Sequence, residues 1–264
     1  HFYEQGIKYL IFGNVLKNNT YPLSVSAERV FQAMALAYLA IEMEVDAIAH
    51  GSTGAGNDQI RFDLIFQTIC PNIEIITPIR DLALSREEEI SYLQQYGVEG
   101  IWEKARYSIN EGLWGTSIGG METLTSNGVL PEEAFSKQLQ EVDSEVIEIR
   151  FEKGEPVGLN GAIMTPIDLI KLLNEWGGKY AIGRDVHVGD TIIGIKGRVG
   201  FEAAGPLMLI KGHHLLEKHT LSKQQLFIKD QMAAFYGSLM HEGQYLDPIM
   251  RNIEAFLSSS QKNV

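Results

Sequence analysis

Val30, Met34, Ala37 and Ile41 recur at helical spacing, so residues 27–44 (AERVFQAMALAYLAIEME) present one apolar helical face, with Ser26 placed to cap it. The pattern then changes. Residues 45–50 (VDAIAH) form a short apolar run that suits a buried strand, and 51–56 (GSTGAG) form a glycine loop. Residues 57–69 (NDQIRFDLIFQTI) return to helical period, and 73–79 (IEIITPI), bounded by Pro71 and Pro78, are β-rich. Helix, strand, glycine loop, helix, strand is the order of a parallel sheet with covering helices, in which ligands bind at the carboxyl ends of the strands.

The second half follows a different pattern. After a charged surface helix predicted over 85–97 (SREEEISYLQQYG), residues 99–120 are rich in polar residues and turn formers, which places a domain boundary near residue 96: one unit over 1–96, another over 97–264. Residues 145–161 read as a hairpin around Lys153 and Gly154. Residues 165–183 read as a helix opened by Thr165 and Pro166 and closed by Gly177 and Gly178. More β-rich chain follows over 187–206, and the stretch from about 207 to 257 is mainly helical, so this half is α+β in character.

With 264 residues, 45% hydrophobic and 21% charged, the chain can bury a substantial core. No apolar run reaches the roughly 18 to 20 residues of a membrane span, and the start lacks the features of a secretory signal. A net charge of −12 opposes nucleic-acid binding. The lone Cys70 sits among apolar residues, reads as a small buried hydrophobe, and points to a reducing, cytoplasmic setting. His213, His214, Glu217 and His219 crowd together, but without an H-E-x-x-H pattern His214 and Glu217 read as a helix-surface pair, and no protein-bound metal is expected.

The glycine loop is the candidate for chemistry. It would bring backbone N–H groups and a helix dipole to an anionic ligand, although Gly51, Gly54 and Gly56 match neither the phosphate loop nor the dinucleotide fingerprint. Thr53, Asn57, Asp58 and Arg61 add a hydroxyl, an amide, a carboxylate and a planar fork of donors, a set suited to a zwitterionic amino acid. Two plainer readings stand beside this one: a turn that needs positive φ, and an exposed Asp58–Arg61 pair at i, i+3.

Several ordered stretches resemble the argininosuccinate synthase family. HGSTGAGNDQIRFD resembles its H-G-x-T-G-K-G-N-D-Q-x-R-F-E signature, YPLSVSAER its Y-x-L-G-T-S-L-A-R, and YSINEGLWG with Thr116 and Ser117 its S-x-D-E-N-L segment. GRDVHVGDTIIGIKGRVGFEAAGP and LEKHTLSK extend the resemblance across nearly the whole chain. It implies a nucleotide-binding domain of the adenine nucleotide α-hydrolase, or N-type ATP pyrophosphatase, kind followed by a synthetase domain. It also implies ATP-dependent joining of citrulline to aspartate, with magnesium arriving on the nucleotide, and a homotetramer.

Carried over by position, the resemblance implies that Tyr21, Ser26, Asn57, Arg61, Ser108 and Ser117 contact citrulline, that Thr53, Asn57 and Asp58 hold aspartate, and that Gly51 lies against ATP phosphates. No residue stands out as a general base. This sequence also departs from the family. The signature lysine is Ala55, and a Glu and a Tyr that reach citrulline fall at Gly189 and Phe201, with Asp190 or Glu202 as conceivable substitutes. The family's S-G-G-x-D-[ST] loop is absent from these 264 residues, so the chain is expected to be a piece that begins within the nucleotide domain and is inactive by itself. The rival expectation is a non-catalytic amino-acid-binding or regulatory homologue.

Overall fold

The computed structural model describes residues 1–54, 56–100 and 107–264. Ala55 and part of the turn-rich stretch predicted after residue 98 lie outside the described residues.

A π-helical turn, Tyr3–Ile7, runs into α1 (Lys8–Phe12). Then come α2 (Ser24–Glu42), β1 (Ala47–Ala49), α3 (Asp58–Ile69) and β2 (Glu74–Ile76). Strands β1 and β2 pair in parallel, with Ala47 opposite Glu74, as the alternation predicts, while α2 and α3 pack against each other; β1 is not the buried strand expected, since Ala47 and Ile48 are half-buried and Ala49 is exposed. Helix α2 starts earlier than expected. Leu23 adopts left-handed φ of 62° immediately before it, so Ser26 lies inside the first turn and is not the cap. Beyond β2 lie α4 (Pro78–Asp81) and α5 (Arg86–Gln95), the latter opened by a capping box between Ser85 and Glu88.

The second half opens with β3 (Ser108–Gly112) and β4 (Gly115–Gly119). The hairpin β5 (Ile149–Glu152) and β6 (Glu155–Leu159) turns at Lys153 and Gly154, whose φ values of 52° and 80° are the left-handed pair that a tight two-residue turn requires. The short β7 (Ala162–Ile163) completes that sheet. Helix α6 (Pro166–Lys179) leads to β8 (Arg184–Asp190) and β9 (Lys196–Glu202), which join β3 and β4 in an antiparallel sheet of order β3-β4-β9-β8. Three helices end the chain: α7 (Ala204–Thr220), α8 (Lys223–His241) and α9 (Pro248–Ser260).

Gly177 and Gly178 do not close α6; both are helical, and the cap is Tyr180. A Cβ on Gly177 would stand 2.8 Å from Ala204 Cβ and 2.9 Å from Met208 Sδ, so the glycine is there to let α6 and α7 approach. Gly177→Ala is therefore expected to lower stability by about 1 kcal/mol, the overpacking loss of roughly 1–3 kcal/mol exceeding the helix-propensity gain of about 1. Urea unfolding checks it, and an unchanged or raised midpoint would contradict the close-approach reading.

One apolar core takes side chains from both halves, among them Ile11, Phe66, Trp114, Leu169, Tyr236 and Leu257. Trp114 Nε1 donates to Pro22 O at 2.8 Å, fixing β3–β4 against the start of α2. Tyr245 Oη donates to Gln5 O at 3.0 Å, fixing the first residues against the last helices.

Half of the histidine cluster is interior: His213 and Glu217 are buried, His214 is half-buried and His219 is exposed. Glu217 is fully buried, and its true helical partner is His213. The carboxylate accepts from Lys229 Nζ at 2.9 Å, Asn14 Nδ2 at 2.6 Å and Gln261 Nε2 at 2.9 Å. His213 lies between the Asn14 and Gln261 amide oxygens, at 2.7 and 2.8 Å.

Candidate functional site

The carboxyl end of β1 opens into a cleft of about 740 Å³. Its floor is the glycine loop and the first turn of α3; α2 supplies Ser26 and Arg29, β3 and β4 supply Ser108 and Ser117, and His241 arrives from the end of α8. Tyr21, Ser26, Gly51, Thr53, Asn57, Asp58, Arg61, Ser108 and Ser117, the positions to which the resemblance gives a substrate contact, line this one cleft.

Two plainer readings fail here. Gly51 and Gly54 have no left-handed φ, and a Cβ on either would meet nothing closer than 3.9 and 3.8 Å, so neither backbone strain nor internal packing demands glycine there. Gly51 lines the cleft, so its backbone is open to it. The Asp58–Arg61 pair exists at 2.6 Å, but Arg61 is only 3% exposed, so this is not a loose surface pair. Arg61 Nε donates to His241 O at 2.8 Å and its NH2 donates to His241 Nδ1 at 3.3 Å.

Asp58 also accepts from Arg29 Nε at 3.3 Å, while Arg29 NH2 donates to Asn110 Oδ1 at 2.8 Å. Charges therefore alternate along the wall: Arg29, Asp58, Arg61. This array complements a molecule bearing both carboxylate and ammonium groups. Asn57 Oδ1 accepts from Ile192 N at 2.9 Å, tying the loop to the β8–β9 turn. His50 Nδ1 accepts from Ser52 N at 3.3 Å, which puts its proton on Nε2, facing Asp63 Oδ1 at 3.1 Å. Asp63 is held in turn by Arg80 at 2.5 Å.

On the opposite wall the hydroxyls of Tyr21, Ser24 and Ser117 form a triangle with sides of 3.0 to 3.3 Å. The Tyr21 ring lies between His187, stacked at 5.1 Å, and the fully buried Phe201 at 5.4 Å. Ser26 Oγ is buried beside the cleft with no hydrogen-bond partner among the described residues, a costly state that a bound polar group would relieve.

Gly189 lies away from the cleft lining, and a Cβ there would stand 2.5 Å from His187 Nε2, so any side chain at 189 competes with that imidazole. The conceivable substitutes are occupied elsewhere. Glu202 accepts from Ser136 N at 2.6 Å and Lys137 N at 3.2 Å, and exposed Asp190 pairs with Lys196 at 2.7 Å. Sequence reading missed Arg29, His50 and His241. Arg29 and His50 stand within quoted motifs, whereas His241 is 180 residues from Arg61 and gave no local signal.

Burial pushes the His213 pKa down to about 4 and that of His241 down to about 2, the latter also opposed by Arg61, Lys17 and His187. Burial and then Lys17 lower His187 as well. Unfolded histidines titrate near 6.5. The unfolded chain thus binds protons that the fold refuses, and this stability is complete above pH 6.5 and declines as pH falls toward the folded values. Chemical unfolding at pH 7.5 and 5.0 should show lower stability at the acid pH, with His241 contributing about 1.4 kcal/mol per pH unit below 6.5; equal midpoints would contradict it.

A parallel strand pair opening into a glycine loop, beside helices and against an antiparallel sheet, places the protein in the nucleotide-binding α/β class with a small-molecule cleft between its two parts. Comparison with known families narrows this. Residues 1–99 match the Arginosuccinate synthase N-terminal HUP domain, and residues 107–264 match the Arginosuccinate synthase C-terminal domain. The chain belongs to the argininosuccinate synthase family. It is similar to the argininosuccinate synthase of Methanocaldococcus jannaschii (38% identical over 99% of this chain and 68% of that protein) and to those of Dehalococcoides mccartyi (36%, 100% and 66%) and Prochlorococcus marinus (38%, 96% and 64%). It spans about two thirds of their length.

Proposed function

We propose that the protein condenses citrulline with aspartate at the expense of ATP, giving argininosuccinate, AMP and pyrophosphate. The observation that carries this reading is the single cleft in which the Tyr21–Ser117 wall faces the Arg29–Asp58–Arg61 array across the glycine loop. Citrulline lies along Tyr21, Ser26, Asn57, Arg61, Ser108 and Ser117, while aspartate lies at Thr53, Asn57 and Asp58. The ATP phosphates approach Gly51. The ureido oxygen of citrulline attacks the α-phosphorus with loss of pyrophosphate, and the aspartate amine then displaces AMP. These residues act by holding the reactants and matching their charge. Asp58 is the one carboxylate among the described residues lining the cleft, and two arginines already engage it, so the described lining offers magnesium no free carboxylate cluster. The division into units 1–96 and 97–264, the cytoplasmic setting and a homotetramer belong to the same proposal. Phe227 and Phe235, exposed on α8, are apolar surface available for assembly.

Pyrophosphate release that requires both citrulline and ATP, and AMP release that further requires aspartate, test the activity in the intact protein. Asp58→Ala is expected to weaken aspartate by roughly 1.5–3 kcal/mol, the scale of a charge-assisted hydrogen bond, and to affect citrulline far less. Equal losses for both amino acids would remove Asp58 from the aspartate site.

A further inference from the structure

His241 has two different nitrogens, and their roles follow from its neighbour. Arg61 can only donate, so at 3.3 Å from its NH2 the His241 Nδ1 must accept and carries no proton. Burial, Arg61, Lys17 and His187 all oppose a second proton, so the ring is neutral at physiological pH. Its one proton is therefore on Nε2. That N–H has no hydrogen-bond partner among the described residues, and His241, only 6% exposed, lines the cleft at the Arg61 end. Among the described residues the fully buried unpaired polar atoms are Ser26 Oγ, Arg184 Nε and His187 Nδ1, so His241 Nε2–H instead reaches the open cleft, where a ligand oxygen takes the hydrogen bond in place of solvent.

We propose that His241 is a substrate-binding residue whose Nε2–H donates to an oxygen of citrulline, beside the remaining Arg61 donors. This rests on the reading under Proposed function that the Arg61 end of the cleft takes citrulline. The helix end thereby acts twice: its carbonyl and Nδ1 fix the plane of the Arg61 guanidinium, and its Nε2–H faces the substrate. Fixing the tautomer makes the site selective for an acceptor at this point, because a donor group there would meet another donor.

Two variants separate substrate contact from mere support of Arg61. In His241→Asn the amide oxygen can replace Nδ1 and keep Arg61 in place, but the reach of Nε2 is lost. In His241→Gln the amide N–H2 reaches the place of Nε2 while the Nδ1 acceptor is lost. Citrulline affinity is measured on the intact protein by titration calorimetry, with aspartate KM in the pyrophosphate assay as control. The expected result is about a tenfold loss of citrulline affinity in His241→Asn, a smaller loss in His241→Gln, and aspartate KM within twofold in both. The reverse order, with Asn near wild type and Gln impaired, would show that His241 only supports Arg61 and would overturn the proposal, as would equal losses in the two variants. Absence of citrulline binding in the unaltered protein would instead overturn the functional reading on which the proposal rests.

Discussion

Lys229→Met should lower the stability of the fold by about 3–5 kcal/mol, the cost of leaving one partner of a buried ion pair alone. Lys229 and Glu217 are both fully buried, 2.9 Å apart, and Lys229 Nζ also donates to Phe12 O at 2.9 Å. Removing the ammonium leaves Glu217 with two amide donors and no counter-charge. The Asn14 and Gln261 contacts then bear on a charge that the interior cannot solvate, and the link from α8 to the end of α1 disappears. The double variant Glu217→Gln with Lys229→Met removes both charges and should recover a large part of the loss, because the expense lies in the unpaired ion rather than in the missing pair. Urea unfolding of wild type, single and double variants measures this cycle. A single variant within 1 kcal/mol of wild type, or a double variant worse than the sum of its singles, would contradict it.

The second large effect is expected at Arg61. Arg61→Lys keeps the charge but cannot reproduce a fork that donates at once to Asp58, to the His241 carbonyl and to His241 Nδ1. Under the proposed assignment citrulline affinity falls by roughly 1.5–3 kcal/mol, about 10- to 150-fold, through lost charge-assisted hydrogen bonds. Aspartate should also weaken, by a smaller factor, because Asp58 loses one of the two guanidinium groups that orient it. Initial rates with each amino acid varied in turn give the two KM values; an unchanged citrulline KM would take Arg61 out of the citrulline site.

Both results depend on residues whose importance was unequally visible in one dimension. Helical period over 27–44 and 57–69, the short apolar runs of β1 and β2, and the Lys153-Gly154 turn are local matters of side-chain spacing and backbone preference, and they emerged where expected. The loop residues were legible because glycine, amide, carboxylate and guanidinium occur within a dozen positions. The errors are equally physical. Ser26 has the chemistry of a cap, but Leu23 took the left-handed turn and the helix began earlier. Gly177 and Gly178 look like a helix stop, but the glycine at 177 answers the approach of α7, a contact no local pattern encodes. His214 and Glu217 have surface-pair spacing, yet α8, α9 and the Asn14 turn bury Glu217 beside His213 and Lys229.

By itself, then, the sequence determined the alternation of elements in the first half, the helical end, and the chemical inventory of the loop at 50–61, because these follow from spacing and residue type along a few turns of chain. Tertiary structure alone decided which distant groups share the cleft: Tyr21 and Ser117 from opposite sides of the 101–106 stretch, Arg29 bridging Asp58 and Asn110, and His241 meeting Arg61 across 180 positions. The physical reason is that hydrogen bonds and charge pairs act over about 3 Å in space and carry no mark of their separation along the chain, so only the packing of one common core against both halves could bring them together.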